Sequence, residues 1–104
     1  MPYEIINFDE KEIEKFLKSI DKSRISKLLR NIDILAKYGK TLSIPYSKKL
    51  EKDLWELRIS GKQNIRVIYT FKNNQIIILY LFLKKSNKTP VQILALARNR
   101  LTKI

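Results

Sequence analysis

The side chains in this chain best suited to polar chemistry are cations. Arg58 and Arg66 flank the short turn 60-SGKQN-64, and Lys84, Lys85 and Lys88 follow the apolar run 79-LYLFL-83. If the turn is centred on Lys62, Arg58 faces Arg66 across two antiparallel strands. Directly opposed like charges destabilise a sheet by about 0.2–1 kcal/mol. Such a pair is tolerable where a phosphate sits between the partners, because guanidinium forks match its oxygens. A one-residue change of register would instead separate the arginines and send each to solvent.

The lysines also admit two readings. They form a solvated loop, or they wall the same anion site just ahead of a helix N-terminus, where exposed N–H groups favour negative charge. Phe82 beside them would suit stacking on a base while cations hold a nucleic-acid backbone. Strand aromatics serve cores more often, and Tyr3, Trp55, Tyr69 and Phe71 are assigned there. A two-residue Asn73-Asn74 loop puts Phe82 and Lys84 on the face opposite Arg66, whereas a one-residue bulge brings them together. Both registers stay open. Lys62, Lys88 and Arg98 are further candidate phosphate contacts. Glu51, Asp53 and Glu56 show no catalytic pairing and suit ion pairs with neighbouring lysines.

Composition narrows the chemistry. The chain has 104 residues, a net charge of +12, and neither cysteine nor histidine. Disulfides, thiolate nucleophiles, histidine acid–base catalysis and ordinary zinc sites are therefore excluded. All ten carboxylates lie in residues 1–56, so the charges of residues 57–104 are purely basic. That asymmetry favours a polyanionic partner. No apolar run is long enough for a membrane span and no signal peptide opens the chain, so a soluble, cytoplasmic protein is expected. The length predicts one domain, residues 1–104.

The elements that must position these cations follow from periodicity. Tyr3 to Phe8 reads as a strand. Asp9 and Glu12 suggest a capping box opening a helix over 10–20. A second amphipathic helix starts near Lys22 or Ser23 and stops at Gly39, making an αα-hairpin. Residues 40–53 read as a polar connection. Strands follow at about 54–60, 65–71 and 75–83, the last apolar on both faces and so expected to be covered on both. Within the first, Trp55, Leu57 and Ile59 alternate with Glu56, Arg58 and Ser60, placing Glu56 on the outward side. Thr89 and Pro90 are expected as N-cap and first residue of a helix ending near Leu101. The fold class is α+β in the order β-α-α-β-β-β-α, a mainly antiparallel sheet packed against the αα-hairpin and a C-terminal helix.

Lys49-Leu50, then 54-LWELRI-59, 65-IRVIYTF-71 and 76-IIILYLFLKKSNKTP-90, with Ala95 and Ala97 beyond, resembles the HigB-like, phage-derived branch of the RelE/ParE toxin superfamily. The resemblance implies a ribosome-dependent mRNA endonuclease that needs no metal or other cofactor. In such enzymes the 2′-hydroxyl attacks the adjacent phosphate and a cyclic phosphate results. It implies a cognate antitoxin, expected to be a helix-turn-helix protein, with mRNA and ribosome as the other partners and no membrane. The catalytic residues carried over are Arg58, Arg66, Lys84 and Lys85. Several relatives have a tyrosine or histidine after the basic strand end as proton carrier. Here residues 84–104 contain neither. Either a lysine whose pKa is lowered among other cations replaces it, or catalysis rests mainly on electrostatics and positioning by the ribosome. A ParE-like gyrase poison and a non-catalytic basic nucleic-acid-binding module are the competing expectations.

Overall fold

The computed structural model describes residues 2–86 and 88–104. The elements are β1 (Glu4–Asn7), α1 (Glu10–Lys18), α2 (Lys22–Tyr38), β2 (Ser47–Glu51), β3 (Leu54–Ile59), β4 (Ile65–Lys72), β5 (Gln75–Leu83) and α3 (Val91–Leu101). One 3₁₀ turn, Gly39–Thr41, follows α2. The α+β class and the element order expected from the sequence hold, with one strand added. The five strands lie in the order β1-β5-β4-β3-β2, and only β1 runs parallel to its neighbour.

The added strand is β2, within the stretch expected to be a polar connection. Its sequence SKKLE carries no apolar alternation, because β2 is an edge strand and its lysines point to solvent. Pairing with β3 holds it there, with Ser47 opposite Leu57 and Lys48 opposite Glu56. Edge strands are often marked by lysine for this reason: charge discourages further pairing.

Local signals set the helix ends. Asp9 accepts the backbone N–H of Glu12 at 3.0 Å, and Asp21 accepts that of Arg24 at 3.0 Å. The reciprocal half of the expected capping box is missing, since Glu12 turns instead to Arg100. Gly39 ends α2 with φ +54, where a Cβ would lie 2.1 Å from the Tyr3 ring, so glycine is needed there.

The sheet is covered on both faces, unequally. The αα-hairpin packs Leu28, Leu35 and Ile20 onto Leu57, Ile59, Ile65, Val67, Tyr69, Ile76, Ile78 and Leu81. On the opposite face α3 sets Ala97 against Leu54, Ile68, Ile77, Leu79 and Phe82. Cover by α3 stops short of Arg58 and Arg66, and that end of the face stays open. Fully burying a leucine or isoleucine contributes about 1.5–3 kcal/mol, so both layers are needed to hold the sheet.

A bulge decides which residues share the open face. Lys72 opposes Gln75 across the Asn73-Asn74 turn, as a two-residue loop requires. Further along, Tyr69 opposes Ile78 while Ile68 opposes Tyr80, leaving Leu79 as the extra residue. Beyond it the parity of β5 is reversed. Ile76 and Ile78 share the hairpin side with Leu81, whereas Ile77 and Leu79 share the α3 side with Phe82. Arg66 consequently opposes Phe82 directly, and the register left open by the sequence is the bulged one.

Arg100 holds that bulge. Its Nη1 donates to the carbonyl of Leu79 at 2.7 Å, and both terminal nitrogens meet the Glu12 carboxylate at 2.8 Å. The guanidinium also lies 5.0 Å from the Phe8 ring centroid and 5.7 Å from that of Tyr80. One side chain thus ties α3, α1 and β5 together. Replacing Arg100 by alanine is expected to cost about 2 kcal/mol, a typical value for a partly buried hydrogen bond from a charged donor. In a domain of this size that lowers Tm by on the order of 10 °C. Thermal melting checks it, and Arg100→Lys should rescue little because an ammonium cannot span the fork.

Candidate active site

Four elements converge at the open end of the sheet. Arg58 on β3 and Arg66 on β4 are direct cross-strand partners, the odd-loop register that the sequence suggested. The turn between them is fixed from below by Arg24 of α2, which is only 7% exposed. Its guanidinium donates to the carbonyls of Ile59, Ser60 and Gln63. Gly61 leaves room for this clamp, since a Cβ there would lie 2.3 Å from Arg24 Nη1. The Lys84 backbone N–H donates to Asn64 O at 2.8 Å, extending the β4–β5 ladder one step past Leu83. That bond sets Lys84 on the arginine face.

What makes the opposed arginines tolerable is a carboxylate. Glu56 is fully buried, not outward-facing as simple alternation suggested. Its Oε1 lies 3.3 Å from Arg58 Nε, 3.6 Å from Arg66 Nε and 3.8 Å from Lys84 Nζ. Its Oε2 accepts the Thr89 hydroxyl at 2.7 Å. Thr89 is therefore not the N-cap of α3; Pro90 holds that position without a side-chain bond. A buried carboxylate is costly unless every oxygen is paired, and here both are.

One negative charge cannot neutralise the cations around it. Above Glu56 opens a cleft of about 280 Å³ lined by Arg58, Asn64, Arg66, Lys84, Lys85 and Ser86. Burial, reinforced by the Arg58 charge and opposed by Glu56, draws the Arg66 pKa below its ordinary value. Burial also draws the Lys84 ammonium below the usual lysine range; Glu56 opposes this, and Arg66, Arg58 and Lys48 add to it. Arg66 Nε finds no hydrogen-bond partner in the protein. The cleft is thus lined by more positive charge than Glu56 can balance, and guanidinium and ammonium groups of this kind suit anionic oxygens. Among the described residues, its lysines and the Ser86 hydroxyl are the only proton-bearing side chains in the lining besides the guanidiniums and the Asn64 amide.

Of the residues singled out in the sequence, Arg58, Arg66, Lys84 and Lys85 meet in this cleft. Lys88 lines an adjoining cavity. Phe82 does not offer a stacking face: it is 8% exposed and packed beneath α3 and against Tyr80, across the ladder from Arg66. Arg98 lies apart, its fork held by Glu51 at 2.6 and 2.7 Å, so its charge is already spent on β2. Lys62 is exposed at the tip of the turn, where it faces Asp21 of the α1–α2 junction rather than the cleft. Sequence reading missed the anchoring role of Glu56 and the clamp at Arg24. The first was signalled by L-x-E-L-R, in which alternation places Glu56 and Arg58 on one face; Arg24 had no signal, being one lysine-or-arginine among many.

No helix among the described residues is long and apolar enough to cross a membrane. A family model described as phage derived protein Gp49-like (DUF891) matches residues 15–102, which include every residue of the cleft. No curated protein matches the chain.

Proposed function

Since the chain belongs to the Gp49-like phage-derived family, a HigB-like family of RelE/ParE toxins, we propose that it arrests translation by cutting mRNA on the ribosome. The observation that carries this reading is the cluster of Arg58, Arg66 and Lys84 around one buried carboxylate, facing an open cleft. Fixed cations of this kind stabilise the pentacoordinate phosphate of strand cleavage without reorganising at the moment of reaction.

In the proposed reaction the 2′-oxygen of one nucleotide attacks the adjacent phosphorus. The bond from phosphorus to the 5′-oxygen breaks, leaving a 2′,3′-cyclic phosphate and a 5′-hydroxyl. Arg66, assisted by Arg58, binds the non-bridging oxygens. The 2′-hydroxyl proton passes to water, and the Lys84 ammonium, held beside Glu56, stabilises the charge that develops on the phosphorane. The Lys85 ammonium gives a proton to the departing 5′-oxygen. Placing the substrate in line is left to the ribosome, and positioning of that kind carries much of such a rate enhancement. A cognate antitoxin presenting an acidic segment over the cleft would keep the stored protein silent.

Brief induction in growing cells followed by mapping of mRNA 5′ ends tests the proposal. New ends inside coding regions, within minutes and dependent on translation, are expected. Intact mRNA accompanied by DNA breaks would replace the reading with gyrase poisoning.

A further inference from the structure

The catalytic cleft has a neighbour. A second cavity of about 220 Å³ adjoins it and shares two of its walls, Arg58 and Lys84. Its other cations are Lys48 and Lys88, and Leu50 and Leu94 supply an apolar side. Lys48 is the cross-strand partner of Glu56, so it projects on the same face of the sheet as Arg58. It sits on the edge strand, while Lys88 comes from the segment leading into α3. Two chain segments far apart in sequence thus bring a cation each to one pocket. Glu56, the one carboxylate lining it, is already engaged by Arg58, Arg66, Lys84 and Thr89.

We propose that this second cavity is a nucleotide subsite: Lys48 and Lys88 bind the phosphodiester next to the scissile one, and Leu50 and Leu94 pack against its sugar or base. The inference rests on the reading of the first cleft as the site of RNA cleavage. A continuous polyanion explains both features of the trench, two adjoining cationic pockets and an apolar wall in only one. Single-stranded nucleic acid has that character, with charge at every repeat and an apolar base between. A free phosphate would use only one pocket.

Binding of 2′-deoxy-substituted oligouridylates, which the proposed chemistry cannot cut, separates the subsites. A dinucleotide with one phosphodiester fills the first cleft alone; a tetranucleotide reaches the second. Each phosphate contact contributes about 0.7 to the slope of log affinity against log salt for single strands. Because Lys48 and Lys88 share one phosphodiester, the Lys48→Ala/Lys88→Ala variant should lower the tetranucleotide slope by about 0.7, a loss on the order of 5-fold at 0.1 M salt relative to 1 M. Its dinucleotide affinity should be unchanged, and on mRNA it should raise KM rather than lower kcat. Lys62→Ala, altering a cation outside both cavities, controls for net charge.

Equal losses for the two lengths, or an unchanged tetranucleotide slope, would overturn the subsite. So would a variant that binds RNA normally but loses polyglutamate, which would make the pocket a dock for acidic protein. Length-dependent binding that persists in a protein unable to cut mRNA in cells would leave the subsite standing and remove the endonuclease reading instead.

Discussion

Arg66→Ala is expected to lower mRNA cleavage by on the order of 10²–10³-fold, the usual cost of removing one preorganised donor to a developing anionic charge. Growth arrest on induction should disappear with it. Arg66 is the most enclosed of the arginines in the cleft, its side chain 11% exposed against 27% for Arg58. Its Nη1 is held by the Ile65 carbonyl at 3.1 Å and its buried Nε lies 3.6 Å from Glu56, so the guanidinium is fixed in place. The same substitution should leave the fold intact or slightly firmer. It removes a charge that burial disfavours and relieves the repulsion with Arg58, worth about 0.2–1 kcal/mol in cross-strand pairs. Glu56 keeps Arg58, Lys84 and Thr89 as partners. A variant with an unchanged or higher Tm and no cleavage in a translation extract is the expected outcome, an instance of stability traded for activity. Full cleavage by Arg66→Ala would dismiss the assigned role.

Glu56→Gln should have the largest effect on stability. Removing one partner of a buried ionic cluster costs about 3–5 kcal/mol, because the opposite charge is left uncompensated. Here the cations keep some contact with solvent, which argues for the lower end, about 3 kcal/mol and a fall in Tm of roughly 12–24 °C. Glutamine preserves the shape and an acceptor for the Thr89 hydroxyl, so the loss reports charge and not volume. Millimolar phosphate or sulfate should restore much of it by occupying the cleft as a substitute counter-ion.

The pH dependence has a definite sign. Lys84 is harder to protonate in the folded protein than in the unfolded chain, so the unfolded state binds more protons between the two pKa values. Stability gained from this group is complete above the unfolded lysine value and is lost as pH falls through the folded one. In Glu56→Gln the opposing carboxylate charge is gone, and the Lys84 pKa falls further. Its Tm should therefore recover more between pH 7 and 10 than that of the parent protein. If the two Tm curves run parallel over that interval, Glu56 does not govern the protonation of Lys84.

Much of this molecule is legible in its order of residues. The 3.6-residue stripes of α1 and α2, the asparagine turn and the doubly apolar β5 are local patterns, and local patterns dictate helix, turn and strand without reference to the rest of the chain. The arginine register was not legible, since an odd loop and a one-residue shift fitted the turn equally well. The strand β2 was not, since an edge strand with solvent-facing lysines needs no apolar alternation and its only evidence is the neighbour it pairs with. Nor was the burial of Glu56, because alternation reports which face a residue occupies and not what later covers that face.

The sequence by itself determined the charge on offer: residues 57–104 hold ten cations and no carboxylate, a balance that favours an anionic partner. It offered seven candidate cations, of which the family resemblance picked out Arg58, Arg66, Lys84 and Lys85. Tertiary structure alone decided that they form one site. The extra residue at Leu79, fastened through Arg100 to the far end of the chain, reverses the parity of β5 and turns Lys84 toward Arg66. Glu56, on the same strand as Arg58, then sets the cations around a single charge. Side-chain direction in a strand has a period of two, so one inserted residue moves everything beyond it to the other face. No local pattern in 76-IIILYLFL-83 marks where that insertion falls, because the run is apolar on both faces and either parity would bury it equally well.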